Sequence, residues 1–92
     1  MRTVHKYTLD YGHTEIPPPC GAEVLTVQLQ HDAICLWAAI DTEQAMELRT
    51  FLVKGTGHPL PGRGLRYVGT VQEAGGRLVW NVFEQLFVED RA

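Results

Sequence analysis

The sequence predicts a small, mostly β domain in which one antiparallel sheet of about six strands folds into a barrel or sandwich with little helix. Three observations support this fold class. Apolar and polar residues alternate with a period of two in several segments, glycine and proline clusters separate those segments, and only one short stretch has helical residue preferences. The length of 92 residues allows a single domain, residues 1–92, with one hydrophobic core.

The first half of the chain contains three predicted strands. Residues 1–11 alternate and predict a half-buried strand with Tyr7 and Leu9 inward, and residues 23–30 predict a second strand with Leu25, Val27 and Leu29 on one side. A short turn at residues 31–32 precedes the apolar run 33–40. That run predicts a central strand covered on both faces, with Trp37 as its largest anchor.

Between these strands, the three prolines at 17–19 predict a rigid connector or an edge, since proline cannot donate to a ladder. Residues 41–47 predict a connection with about one helical turn, because isolated short helices are marginal.

The second half predicts three more strands, at residues 48–54, 65–72 and 77–84. In the middle one, Leu65, Tyr67, Gly69 and Val71 fall on one side. The glycines of the segment 74–76 indicate a hairpin between the last two strands, because tight primed turns need positive φ. Phe87 and Val88 extend the apolar character before the acidic residues Glu89 and Asp90.

Composition excludes several function classes. A formal charge of −3 offers no basic stripe for duplex nucleic acid. No segment has the length and apolarity of a membrane helix or a signal peptide, so a cytoplasmic location is expected. Cys20 and Cys35 form no C-x-x-C pair, which favours reduced thiols.

The loop at residues 55–64 is the most promising site. Its four glycines allow close approach to the main chain, and its two prolines reduce the entropy cost of one shape. Glycine-rich turns present main-chain N–H groups to anions. The sequence therefore predicts a phosphate-binding group made of Gly55, Thr56, Gly57, His58, Arg63 and Arg66. The alternative is a long hairpin loop that only makes a turn, since neither a P-loop nor a dinucleotide fingerprint is present.

Aromatic side chains add a second component to the predicted site. Tyr7, Tyr11 and Tyr67 have polar neighbours and are candidates to stack on a base or another flat ligand. Trp37 and Trp80 have apolar flanks and are predicted to lie in the core.

No catalytic, metal or cofactor site is predicted. The histidines at 5, 13, 31 and 58 do not match a metal-ligand spacing, and the acidic residues form no acid–base pair. Cys20 is the one plausible reactive thiol, and Cys–His chemistry would require the fold to bring it or Cys35 to His58. A chain this small also lacks cover for both faces of its sheet, so homo-oligomers are expected.

Five short pieces of the chain, taken together, resemble a family of small uncharacterised phage and prophage β-domain proteins. They are Cys35-Leu36-Trp37-Ala38, Arg49-Thr50-Phe51, Gly55-Thr56-Gly57-His58-Pro59, Val68-Gly69-Thr70-Val71, and the run from Gly75-Gly76 to Val82-Phe83-Glu84. The resemblance implies a phage-encoded protein in the cytoplasm of an infected or lysogenic bacterium. By size and setting it is similar to phage sponges that sequester the cyclic-nucleotide signals of the CBASS and Thoeris defence systems.

The expected function is therefore non-enzymatic capture of a small phosphate-bearing ligand, with a cyclic nucleotide immune signal as the leading candidate. An alternative is a protein-interaction module, either a phage accessory protein or an inhibitor of a host protein. A nucleotide-cleaving enzyme is the weakest of the three hypotheses.

Overall fold

The computed structural model describes residues 1–86 and contains two antiparallel β-sheets. Its seven strands are β1 (Arg2–Leu9), β2 (Gly12–Ile16), β3 (Glu23–Gln30), β4 (Ala33–Asp41), β5 (Arg49–Gly55), β6 (Leu65–Glu73) and β7 (Leu78–Gln85). The first sheet has the order β1-β4-β3 and the second has the order β2-β5-β7-β6. The predicted mostly β, antiparallel fold class is confirmed, with β2 as a strand that the sequence analysis did not identify.

The two sheets share one hydrophobic core. Ile34, Leu36 and Ile40 from β4 pack in the same cluster as Phe51 from β5 and Val82 from β7. The chain passes from the first sheet to the second between β1 and β2, only two residues apart. The arrangement is therefore a sandwich whose sheets are joined at this corner.

The turn between β3 and β4 follows the prediction, but the placement of Trp37 does not. His31 and Asp32 have φ angles of 50° and 66°, as a two-residue type I′ hairpin requires. Trp37 pairs with Lys6 and Thr26 and, unlike Leu36, lies outside the core cluster. The expectation that Trp37 anchors the core is wrong, because the inward positions of β4 are the even-numbered ones.

Two bulges change which side chains face the core. The register of β3 shifts between Val24 and Thr26, so Val27 still faces inward while Leu25 is 50% exposed. The register of β6 shifts in the same way between Tyr67 and Gly69. The prediction that alternate residues along the whole of each of these two strands share one face is therefore wrong. A bulge inserts one residue and reverses the alternation beyond it.

The segment 41–47 is not helical. Its turn begins at Asp41, whose Oδ1 accepts from the main-chain N–H of Glu43 at 3.0 Å. Its end pairs with the proline connector, where Glu47 N donates to Pro18 O at 2.9 Å and Cys20 N donates to Ala45 O at 2.7 Å. These bonds to the connector replace the predicted helical turn.

The loop after β5 is not a hairpin loop. β5 and β6 are both antiparallel to β7, which lies between them, so they run parallel to each other. Gly55 pairs with Trp80 near the start of β7, whereas Leu65 pairs with Gln85 at its end. Residues 56–64, called the strap below, therefore run back along the length of β7. A parallel connection usually needs a dozen or more residues and a helix, and this one has neither.

The remaining connection, between β6 and β7, is the predicted hairpin, closed by a short turn in which Ala74, Gly75 and Gly76 all have positive φ. The predictions for Phe87, Val88, Glu89 and Asp90 lie outside the described residues. No helix in the described part of the chain has the length and apolarity needed to cross a membrane.

Candidate functional site

A cavity of about 190 Å³ lies between the strap and the second sheet, and we call it the strap cavity. Lys54 at the end of β5 and Asn81 and Phe83 of β7 line it from the sheet. The strap covers it with Thr56, Gly57, His58 and Leu60, next to Gly55. Lys54, Asn81 and Phe83 belong to the face of β7 and β5 that points away from the core, so the cavity opens on the outside of the sandwich.

The strap begins with a tight turn between Gly55 and His58. His58 N donates to Gly55 O at 3.0 Å, and Gly55 N donates to the imidazole Nδ1 at 3.1 Å. Because Nδ1 accepts this hydrogen bond, the proton of the neutral ring is on Nε2. The imidazole packs directly on Gly55, where a Cβ would lie only 2.8 Å from Cε1 of the ring. The turn thus requires glycine at this position.

A chain of hydrogen bonds connects this turn to Tyr67. Asn81 Nδ2 donates to Lys54 O at 3.2 Å and to Thr56 Oγ1 at 3.3 Å, and Asn81 Oδ1 accepts from Thr70 Oγ1 at 3.2 Å. Since the Thr70 proton is directed to Asn81, the Tyr67 hydroxyl, 2.6 Å away, donates to Thr70. The outward side chains beside the cavity are therefore held in one orientation.

A second cavity, of about 230 Å³, lies on the other side of the same turn, and we call it the turn cavity. Arg77, Leu78, Val79 and Trp80 line it from the start of β7, and Gly55, Thr56 and His58 separate it from the strap cavity. The His58 and Trp80 rings meet edge to face with centroids 6.5 Å apart.

Behind Trp80, one carboxylate holds two aromatic side chains. Glu73 Oε1 accepts from Trp80 Nε1 at 2.5 Å and from the Tyr11 hydroxyl at 2.8 Å. The Tyr11 and Trp80 rings lie 4.6 Å apart. The hydrogen bond to Glu73 raises the pKa of Tyr11, and desolvation and the negative charge of Glu73 act in the same direction. Tyr11 thus supports the wall of the turn cavity.

Both cavities are basic. Lys54 lines the first, Arg77 lines the second and His58 lines both, while no carboxylate from residues 1–86 lines either one. Within the same residues, no Asp or Glu oxygen lies within 4.0 Å of the Lys54 ammonium group. A protein with a net charge of −3 therefore concentrates positive charge around this turn.

The structure brings together only some of the predicted site residues. The turn consists of Gly55, Thr56, Gly57 and His58. Tyr67 is connected to it by its hydrogen bond to Thr70 and by an edge-to-face contact with Phe83, whose ring centroid is 5.7 Å from that of Tyr67.

The other predicted residues lie elsewhere. Tyr7 faces inward from the first sheet and packs against the core. Arg63 is in the exposed part of the strap, outside the lining of both cavities. Tyr11 contacts the site only through Trp80.

Arg66 lies at the opposite end of β7, beside a partly buried ion pair. Arg49 Nε and Nη2 donate to the two oxygens of Glu84 at 2.7 and 2.9 Å, and Arg49 Nη1 donates to Ala22 O at 2.6 Å. The hydrogen bonds that Arg49 donates to Glu84 raise the pKa of Arg49. The Arg66 guanidinium is 3.8 Å from the same carboxylate. Register explains the position, because Arg66 pairs with Glu84, four residues along β7 from Trp80.

Two larger cavities, of about 370 and 490 Å³, surround this ion pair, but their charges balance. Each contains Arg49, Arg66 and Glu84, together with Glu23 in one and Glu47 in the other. Two cations against two carboxylates leave no net attraction for an anion, so the candidate site is the pair of cavities around His58.

Sequence reasoning missed Lys54, Arg77, Asn81 and Phe83. Lys54 immediately precedes the glycine loop, and Asn81 and Phe83 alternate with the buried Val82, so the outward row of β7 was visible in the sequence. The sequence does not show that the loop returns over these outward-facing side chains of β7.

The described residues contain no arrangement that suggests catalysis by thiol or metal. Cys35 is buried in β4 and Cys20 is exposed in the proline connector, and neither lines a cavity with His58. Within residues 1–86, no three His, Cys, Asp or Glu side chains lie close enough together to hold a metal ion.

The fold and the two cavities define a small two-sheet β domain with a basic site under a strap on one outer face. The chain belongs to a family described as a domain of unknown function, DUF7352, whose model matches residues 1–91 and so covers both sheets and the strap. Searches of curated proteins and of solved structures gave no match.

Proposed function

We propose that the protein is a non-enzymatic binding domain that captures a small phosphate-bearing ligand at the strap cavity. The observation that carries the proposal is the combination of a glycine-rich turn with cationic side chains and, among residues 1–86, no lining carboxylate. The resemblance described above supports the more specific proposal of a phage protein that sequesters a cyclic nucleotide immune signal.

The chemistry of the strap cavity suits a phosphate group. The Lys54 ammonium group supplies a positive charge, and His58 Nε2–H and the main-chain N–H groups near Gly57 supply donors. Gly57 has a φ of 93°, a conformation that brings successive main-chain groups to one side of a turn.

The size of the cavity indicates how much of the ligand it encloses. At about 190 Å³ it is smaller than the usual range for small-molecule sites, so it holds the phosphate and part of the attached sugar. A base would then lie outside the cavity, where Phe83 and the 59% exposed Tyr67 ring offer flat surfaces.

Capture without catalysis is enough for such a function. A ligand bound more tightly than its working concentration is removed from solution once binding sites exceed it. The prolines at 59 and 61 reduce the entropy lost when the strap adopts its bound shape.

Calorimetric titration with cyclic nucleotides tests the proposal. Lys54→Ala is expected to weaken binding by roughly tenfold, because it removes a charge-assisted contact. Arg2→Ala, which removes the same charge from the first sheet, is the matched control and should leave affinity unchanged. Arg63→Ala tests the sequence-based prediction that this strap cation also contacts phosphate: weaker binding would support that prediction, and unchanged affinity would agree with the position of Arg63 outside the lining of both cavities.

The fate of the ligand separates capture from hydrolysis. Intact nucleotide recovered after denaturing the complex supports a sponge, whereas cleaved nucleotide contradicts it. The absence of binding to any cyclic nucleotide, with folding intact, would also overturn the proposal.

A second candidate function, a protein-interaction module, is favoured by the free edge of β1. β1 pairs with β4 on one side, and no strand of residues 1–86 pairs with its other side. Arg2, His5 and Lys6 are exposed along it, and β1 contains no acidic residue. Such an edge suits an extended acidic segment of a phage or host protein, bound by strand addition.

NMR mapping decides between the two candidates. A short alternating valine–glutamate peptide should shift amide signals of Arg2–Leu9 if the edge is the functional surface, and Lys6→Glu should abolish the shifts. Shifts at residues 54–58 and at Asn81 and Phe83 on adding a cyclic nucleotide, without shifts in Arg2–Leu9, support ligand capture instead.

A further inference from the structure

The two cavities around the strap turn form one site with two compartments. Gly55, Thr56 and His58 line both cavities, so the turn is a shared partition between them. Asn81 and Phe83 line the strap cavity, whereas Leu78 and Trp80, further toward the start of β7, line the turn cavity.

Each compartment contains one long cationic side chain. Lys54 lines the strap cavity and Arg77 lines the turn cavity. No ion pair joins either cation to a carboxylate of residues 1–86. His58, between them, is fixed through Nδ1 by Gly55 and directs its Nε2–H away from that bond.

The two cations are separated by a distance that a single small molecule can span. Lys54 pairs with Asn81, and Arg77 directly precedes Leu78, which places it four residues before Asn81. Four residues of extended chain correspond to about 13 Å. Since lysine and arginine side chains are long and flexible, their charged ends can approach anions closer together than their main chains.

From this arrangement we infer that the site takes a ligand with two anionic groups, one on each side of His58, held by Lys54 and Arg77. The fitting class is a compact diester or bisphosphate whose phosphates are separated by a sugar, as in a cyclic dinucleotide. The inference rests on the proposed function, because it specifies the ligand of the same site. A cyclic mononucleotide, with one phosphate, fills only one compartment.

Calorimetry with cyclic di-AMP and cyclic AMP at matched ionic strength tests this inference. Cyclic di-AMP is expected to bind with one molecule per chain and roughly tenfold or more tighter than cyclic AMP, because the second contact is intramolecular. Lys54→Ala and Arg77→Ala should each weaken cyclic di-AMP binding by roughly tenfold, whereas only one of them should affect cyclic AMP.

The outcomes separate this inference from the proposed function. If cyclic AMP binds as tightly as cyclic di-AMP, or Arg77→Ala leaves both affinities unchanged, the two-compartment inference is wrong while phosphate capture stands. If neither nucleotide binds, both are wrong. The Arg2→Ala control must retain full affinity, since an equal loss there would mean that net charge, not position, determines binding.

Discussion

At the scale of single residues, the site depends on one contact between a glycine and a histidine. His58 rests on Gly55 because nothing projects from that α-carbon, and the resulting hydrogen bond to Nδ1 determines which ring nitrogen carries the proton. The sequence identified both residues as site candidates. It did not reveal their contact, which arises when the chain turns back after β5.

Gly55→Ala should displace the imidazole, because the new Cβ would lie 2.8 Å from Cε1 of His58. Loss of the hydrogen bond is expected to reduce the free energy of unfolding by about 1 kcal/mol. Urea denaturation measures the loss, and the imidazole NMR signals report the change at His58. Gly62→Ala is the control, since a Cβ there meets no atom within 4 Å. Equal stability of the two variants would contradict the described turn.

Tyr11 should ionise at higher pH than a free tyrosine, whose pKa is 10.0. Glu73 accepts the hydrogen bond from the protonated hydroxyl, so the pKa is higher in the folded state than in the unfolded state. The resulting stabilisation is complete below pH 10.0 and is lost as the pH rises through the folded pKa. Absorbance titration of tyrosinate should show one tyrosine shifting to lower pH in Glu73→Gln. An unchanged titration curve would argue against this hydrogen bond.

At the scale of secondary structure, the sequence predicted where strands lie better than which way their side chains point. Period-two alternation located β1, β3, β6 and β7, because burial on one face leaves that pattern, and a continuous apolar run located β4. The bulges in β3 and β6 leave no comparable signal, so Leu25 was grouped on one side with Val27, and Tyr67 with Val71, across a change of register.

The site was predictable only in part for the same reason. The glycine loop was visible in the sequence, but its partners Lys54, Arg77 and Asn81 depend on the path of the strap over β7. Arg66 was expected beside the loop because it follows it closely in sequence. Strand register instead places it at the far end of β7.

Substitutions in the turn between β3 and β4 should stabilise the folded protein. His31 and Asp32 both have positive φ, a conformation that costs L-residues other than glycine and asparagine free energy. The double variant His31→Asn, Asp32→Gly should raise the free energy of unfolding by about 1 kcal/mol. Thermal denaturation measures the change, with Asp32→Ala as a control that keeps the strain. A lower melting temperature for the double variant would contradict the I′ turn.

At the scale of the whole molecule, the two sheets also approach each other at β3 and β6. A Cβ on Gly69 would lie 2.6 Å from Cγ1 of Val27, so only glycine allows this approach. Near the same two strands, the partly buried Arg49–Glu84 pair also contacts Ala22, which precedes β3. The sandwich is thus closed by a close backbone contact on one side and by the β1–β2 corner on the other.

Gly69→Ala should lower the free energy of unfolding by about 2 kcal/mol, because the strands must separate to accept the methyl group. Combining it with Val27→Ala should cost less than the sum of the two single changes, since the second substitution removes the atom in conflict. Chemical denaturation of the wild-type protein, the two single variants and the double variant measures this coupling. Simple additivity would show that the two residues do not touch.

The outer face of the first sheet leads us to expect self-association. Val4 is 52% exposed there and Trp37 is half-buried, so residues 1–86 leave both side chains partly exposed. Light scattering at micromolar concentration is expected to give a mass above that of one chain, and Val4→Lys should lower it. Leu48→Lys, which changes an exposed leucine outside this face, is the control. A monomeric wild-type protein would exclude the expectation.

The position of β7 has a consequence for synthesis. The β3–β4 hairpin can close as soon as residue 41 has been added, because its partners are neighbours in sequence. β5 and β6, in contrast, have no partner between them until residues 78–85 emerge from the ribosome. During translation the growing chain therefore carries two unsatisfied edges, which makes the interval before β7 appears the period of greatest exposure to aggregation.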